Sequence, residues 1–193
     1  MRTMLAILFA ATIVAAGCTN EPEQPSTAPS PSMGTATPTD DVAAEIEIYS
    51  AVIRRLVTKD HTFGRGPSPS KHVYVVNGAI SDAGDPLGDH FGPPKEPFPS
   101  DLVHDVEQRL QDLPSVRFVS DANDLRRGKE GAGGVKNNGV IITLGPIQRK
   151  DGKVHVPNGL WCGGKCGQWL TYVLAEDDAR WKITGTTGPI AIS

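Results

Sequence analysis

Apolar and polar positions divide the chain into three stretches. Residues 4 to 17 are almost wholly apolar or small, residues 18 to 39 carry few apolar side chains, and periodic apolar spacing begins only after Asp40. In that last stretch Val42, Ile46, Tyr49, Ile53 and Leu56 recur at intervals of four, three, four and three, which is one face of a helix. Thr39, Asp40 or Asp41 can cap it, and Glu45 and Glu47 early with Arg54, Arg55 and Lys59 late suit the helix dipole. The helix is expected to end near Asp60.

The run 71–78, KHVYVVNG, reads as a compact strand closed by Asn77-Gly78. Pro86, Pro93, Pro94, Pro97 and Pro99 then exclude regular structure until Ser100, which is expected to cap a second helix with the stripe Val103, Val106, Leu110 and Leu113. Pro114 stops it, SVRFVS forms the next strand, and the glycine-rich residues 121–138 read as a surface loop. The last third is β-structure: GVIITLG (139–145), then KVHVP after an Asp151-Gly152 hairpin turn, QWLTYVLA (168–175), RWKITG (180–185), and PIAIS as an edge strand. Leu170, Tyr172 and Leu174 share one face, as do Trp181 and Ile183 across the turn at 176–179. The expected class is α+β: two helices packed on an antiparallel C-terminal β-meander, in one domain.

The first two stretches concern location. Arg2 precedes the apolar run, and Met4 to Gly17, 14 residues, would span about 21 Å as a helix, short of the ~30 Å hydrocarbon core. This predicts an export signal over 1–17. Ala15-Ala16-Gly17-Cys18 resembles a bacterial lipobox, in which the cysteine is acylated and becomes the mature N-terminus; Ala15 stands where leucine is usual. Ordinary cleavage after Gly17 is the alternative. Thirteen of the 22 residues from Cys18 to Thr39 are Pro, Ser or Thr, so this segment reads as a disordered tether between the anchor and a domain at 40–193.

Charge narrows the partners. Removing residues 1–17 takes away Arg2 alone, leaving 18 basic residues (19 − 1) against 22 acidic ones, with no basic stripe. Nucleic-acid binding is not expected.

Candidate chemistry is sparse. Asp60-His61 and Asp89-His90 place a carboxylate beside an imidazole, but neither belongs to a spaced metal or catalytic motif, and His104 and His155 read as surface residues. The segments 64–71 and 128–139 are glycine-rich but fit neither a phosphate-binding loop nor a dinucleotide fingerprint. No Gly-x-Ser-x-Gly elbow is present. No catalytic residue, metal site or cofactor is therefore assigned. Cys162 and Cys166, bracketed by Trp161 and Trp169, can close a disulfide across Gly-Gly-Lys; a thiolate metal site or a free redox pair are the other readings. With Cys18 acylated, this pair is all that remains of three cysteines.

The segments TYVLAEDDARWKITGTTGPIAIS and EIYSAVIRRLVTKDHTFG resemble uncharacterised exported lipoproteins of high-GC Gram-positive bacteria. The C-terminal hairpin is also similar to the last hairpin of NTF2-like domains, in which a curved sheet and helices enclose a pocket. The resemblance implies a cell-membrane lipoprotein on the extracytoplasmic face, acylated with palmitate-type chains at Cys18. For function, the expectation is a non-catalytic binding or interaction domain whose partner is an envelope protein or small-molecule ligand. The alternative is an envelope enzyme acting on wall material.

Overall fold

The computed structural model describes residues 38–64, 68–88, 90–128 and 133–193. The expected export signal, Cys18 and nearly all of the expected tether lie outside the described residues, as do Asp89 and parts of both glycine-rich segments. The described residues belong to one compact body.

Among the described residues two α-helices and seven strands form the body. They are α1 (Pro38–Thr58), β1 (His72–Ala79), α2 (Ser100–Arg109), β2 (Ser115–Val119), β3 (Gly139–Leu144), β4 (Gln148–Lys150), β5 (Lys153–Gly163), β6 (Cys166–Asp177) and β7 (Arg180–Ile192). A single sheet takes the order β2-β1-β3-β5-β6-β7, with β4 beside β5. The class is α+β, and the C-terminal strands form an antiparallel meander. The sheet extends further than the meander: β1 lies parallel to both β2 and β3. α2 lies between β1 and β2 in the chain, and such a crossover returns the chain in the same direction.

Alternation along the strands feeds two cores. Val73 and Val75, Val140 and Ile142, Leu160, and Leu170, Tyr172 and Leu174 pack with the α1 stripe of Tyr49, Val52, Ile53 and Leu56. Tyr74 and Val76, Ile141, Trp161 and Trp169 point the other way and pack with Ala122 and Val135. The segment 121–138 is thus more than a surface loop, because two of its apolar side chains are buried under the sheet.

α2 buries Leu102 and Val106, its C-cap residue Leu110 is buried with them, and Leu113 is partly buried in the turn that follows; Val103 sits at the margin of the expected stripe. Pro99 occupies the N-cap and Ser100 begins the helix, so the expected serine cap is absent. Arg54 ties the helices together. Its Nη1 and Nη2 donate to Asp112 Oδ2 and Oδ1 at 2.6 and 2.8 Å, and Nη2 also donates to the Arg109 carbonyl at 2.9 Å.

Asp151 and Gly152 both take positive φ, 52° and 70°, the geometry of a tight two-residue hairpin turn. Between β3 and β4, Gly145, Pro146 and Ile147 oppose Val156 and Pro157, a one-residue bulge. The bulge explains why β5 continues six residues beyond the expected end at Pro157. The Pro157 carbonyl accepts from Gly145 N–H at 2.6 Å, so its missing N–H faces the irregular gap between β3 and β4, where no ladder partner is lost. Two positions on, a Cβ at Gly159 would lie 2.7 Å from Trp169 Cδ1, which makes glycine the residue that admits the indole.

Candidate functional site

The residues singled out by sequence do not converge. His61 is buried beside Phe63, with ring centroids 5.6 Å apart, and His90 is buried between Phe91 and Trp169 at 6.1 and 6.0 Å. His72 stacks on Tyr74, His104 is exposed on α2, and His155 is half-buried on β5. Among the described residues no three His, Cys, Asp or Glu side chains are grouped to hold a metal ion. Trp161 and Trp169 are buried, so they belong to the second core and form no exposed contact patch. Arg126 lies over Phe91 and Trp161, 4.4 and 5.4 Å from their ring centroids, and fixes the loop layer to the sheet.

Cys162 and Cys166 are joined as a disulfide with Cα atoms 5.1 Å apart, across the turn from β5 to β6. Thr62 Oγ1 lies 3.2 Å from the Cys166 sulfur, so the chain leaving α1 rests on this hairpin tip. On the other side a Cβ at Gly134 would stand 2.8 Å from the Cys162 carbonyl oxygen, so that loop also closes on the tip.

A polar trio that sequence reading did not connect lies just beyond the end of α1. Arg55 Nε donates to Asp60 Oδ2 at 2.6 Å, and the Tyr172 hydroxyl donates to the same oxygen at 2.9 Å. Local geometry positions two of the three: α1 ends at Thr58, so Asp60 folds back within reach of Arg55 one turn earlier. Tyr172 comes from the middle of β6, 112 residues away, projecting from the helix-covered face. Burial pushes the Tyr172 phenol well above its ordinary range, and the charge of Asp60 adds to the effect. The hydroxyl therefore stays a donor at any physiological pH.

The trio opens onto a cleft between α1 and β7. One lobe, about 400 Å³, is lined by Arg55, Asp60, Tyr172 and the β7 residues Ile183 to Thr186. A second lobe, about 270 Å³, shares Arg55 and Ile183 and adds Ala51, Arg54, Thr58, Lys59 and Lys182. The first is rich in hydroxyls; the second has four cationic side chains and no carboxylate in its lining. β7 is the outermost strand, and its residues 184–190 are exposed, which leaves the cleft open to solvent. In sequence, Arg55 appears as half of an isolated basic pair and Asp60 as a neighbour of His61. Nothing local links either to Tyr172.

Among the described residues no helix is long and apolar enough to cross a membrane. Comparison with protein-family models, with curated proteins and with solved structures finds no match to this chain.

Proposed function

We propose that this chain is exported, acylated on Cys18 and held at the extracytoplasmic face of the cell membrane, where residues 40–193 act as a non-catalytic binding domain. The partner is a cell-envelope component or a small ligand, and the α1–β7 cleft receives it. One observation carries the binding reading. Asp60 is engaged by both Arg55 and Tyr172, and the phenol is held protonated. Two donors fix one carboxylate oxygen at the mouth of the cleft, an arrangement oriented for recognition.

The anchor rests on the sequence of residues 15–18 and on the tether that follows it. Two or three acyl chains hold a protein stably at a bilayer, whereas one binds only marginally. Intact-mass measurement on protein from the membrane fraction checks the anchor: acylated Cys18 is expected, and Cys18→Ser should leave the chain unprocessed or shed. Unmodified Cys18 after export would overturn it.

A cell-envelope enzyme acting on wall material is the second reading, favoured by the contact between the Asp60 carboxylate and the Tyr172 phenol in a polar cavity. Incubation with purified peptidoglycan separates the two. Release of fragments that Tyr172→Phe abolishes would establish the enzyme; intact peptidoglycan supports the binding domain.

A further inference from the structure

The chemistry of the two lobes narrows the ligand of the cleft. Arg54, Arg55 and Lys59 project from the last two turns of α1 and the residue after it, and Lys182 comes from β7 to meet them. Cations at the end of a helix are explained in part by its dipole, but a lysine supplied from a strand is not. The ion pairs leave a residue of positive charge. Arg54 pairs with Asp112, Arg55 with Asp60 and Lys182 with Asp177, while Lys59 forms no ion pair among the described residues. Asp112 and Asp177 stand outside both lobes, so among the described residues Asp60 alone of the carboxylates lines the cleft.

Arg55 is the hinge of the arrangement because it lines both lobes. Asp60 occupies its Nε, and the Nη groups meet no carboxylate among the described residues. A guanidinium held at one edge with its fork available is a preorganised oxyanion receptor. Beyond it the other lobe is lined by three hydroxyls: Tyr172 and Thr184 donate to Asp60 and to the Val173 carbonyl and so present lone pairs to a ligand, Thr186 stands beside them, and Gly185 leaves space, since a Cβ there would meet nothing within 4 Å. The 400 Å³ of this lobe falls in the usual range of about 300–1,000 Å³ for small-molecule sites.

We infer that the cleft binds a phosphorylated sugar or polyol, with the phosphate among Arg55, Lys59 and Lys182 and the hydroxyl-bearing body against Tyr172, Thr184 and Thr186. The inference rests on the reading of the α1–β7 cleft as the binding site and specifies what that site selects. In a chain of net charge −3, a lobe lined by four cationic side chains is locally of the opposite sign.

The test titrates the isotopically labelled full-length chain, in neutral detergent micelles, with glucose 6-phosphate, glucose and inorganic phosphate. NMR reports the place of binding and calorimetry the affinity. Glucose 6-phosphate is expected to bind at least tenfold more tightly than either control, to shift Arg55 Nε and the 184–186 amides, and to weaken as salt is raised. Lys59→Glu should weaken it at least fivefold. Gly185→Leu, which fills open space and should leave the melting temperature unchanged, should abolish it. Glucose, or inorganic phosphate alone, matching glucose 6-phosphate at the cleft would overturn the ligand class while leaving the cleft a binding site. No shift in the cleft with any of the three compounds would overturn the cleft reading itself.

Discussion

The two faces of the sheet are covered by different means. One carries α1 and α2, whose side chains at helical spacing interlock with aliphatic residues of the strands. The other carries irregular chain around Ile80, Phe91, Ala122, Leu125 and Val135, and is filled by Tyr74, Trp161 and Trp169 with Phe91 and the cation of Arg126 over them. Regular elements satisfy their own backbone and can bury aliphatic surface continuously; irregular chain must find partners for its polar groups one at a time. Hence the loop layer uses large rings, which bury much area from few anchoring positions, and a stacked guanidinium whose polar edge can be satisfied locally. The helix layer buries the larger cluster, so it is expected to contribute more of the stability.

Leu56→Ala gives the largest expected effect. This side chain is fully buried between α1 and the sheet, and its truncation should cost about 3–4 kcal/mol in denaturant melts while unfolding stays a single transition. A cost below about 1 kcal/mol would mean that the helix layer is not the main source of stability.

Reduction of Cys162–Cys166 comes next, at up to about 2 kcal/mol, because closing so short a loop removes little unfolded-chain entropy. The hairpin tip touches both layers, through Thr62 on one side and Gly134 on the other. Amide exchange should therefore speed up in both neighbouring loops, and acceleration confined to one side would assign the tip to that layer alone. Two reactive thiols in unfolded, unreduced protein would rule the disulfide out.

Phe91→Ala tests the loop layer directly. Phe91 is half-buried beneath Arg126 and against Trp161, and its removal should cost about 1.5 kcal/mol, below the usual range for a fully buried ring. Exchange should rise in 121–128 more than in α1. If the loss equalled that of Leu56→Ala, the contrast between the faces would collapse.

Tyr172→Phe has the smallest effect, about 1 kcal/mol at neutral pH, since it deletes one hydrogen bond to a partly exposed carboxylate. Its pH dependence is more informative. The folded state holds the Tyr172 and Tyr49 phenols above their ordinary range, chiefly by burial. Above about pH 10 the unfolded chain therefore releases protons that the native chain retains, and stability falls as pH rises. That loss is absent below pH 10, where both states hold the protons. Urea midpoints between pH 8 and 11 should fall less steeply for Tyr172→Phe than for the parent; an unchanged slope would show that the phenol ionises as readily folded as unfolded.

Much of this architecture can be read directly from residue order. The spacing from Ile46 through Tyr49 and Ile53 to Leu56 reports the buried face of α1, since a helix turns by a fixed angle per residue; Val42, which continues that spacing, is exposed because the first turn of the helix extends past the sheet-facing core. The Asp151-Gly152 turn and the shared face of Leu170, Tyr172 and Leu174 follow from equally short-range rules. Cys162 and Cys166 are near enough in sequence to pair without distant help. Each of these depends on interactions within a dozen residues.

What tertiary structure alone decided depends on contacts that no local rule encodes. The parallel placement of β1 between β2 and β3 arises from a crossover through α2, and the passage of β5 past Pro157 depends on a bulge in a neighbouring strand. The burial of Ala122 and Val135 was hidden because a loop's periodicity carries no information about the surface it will meet. The trio is the extreme case. Arg55 and Asp60 are five residues apart, but Tyr172 reaches them only after the strands between have stacked in order. In one dimension they are a basic pair, an acid beside a histidine and a core aromatic. Their common oxygen exists only in the folded chain, because the hydrogen bonds that define it are worth too little to form before the hydrophobic layers bring the three groups together.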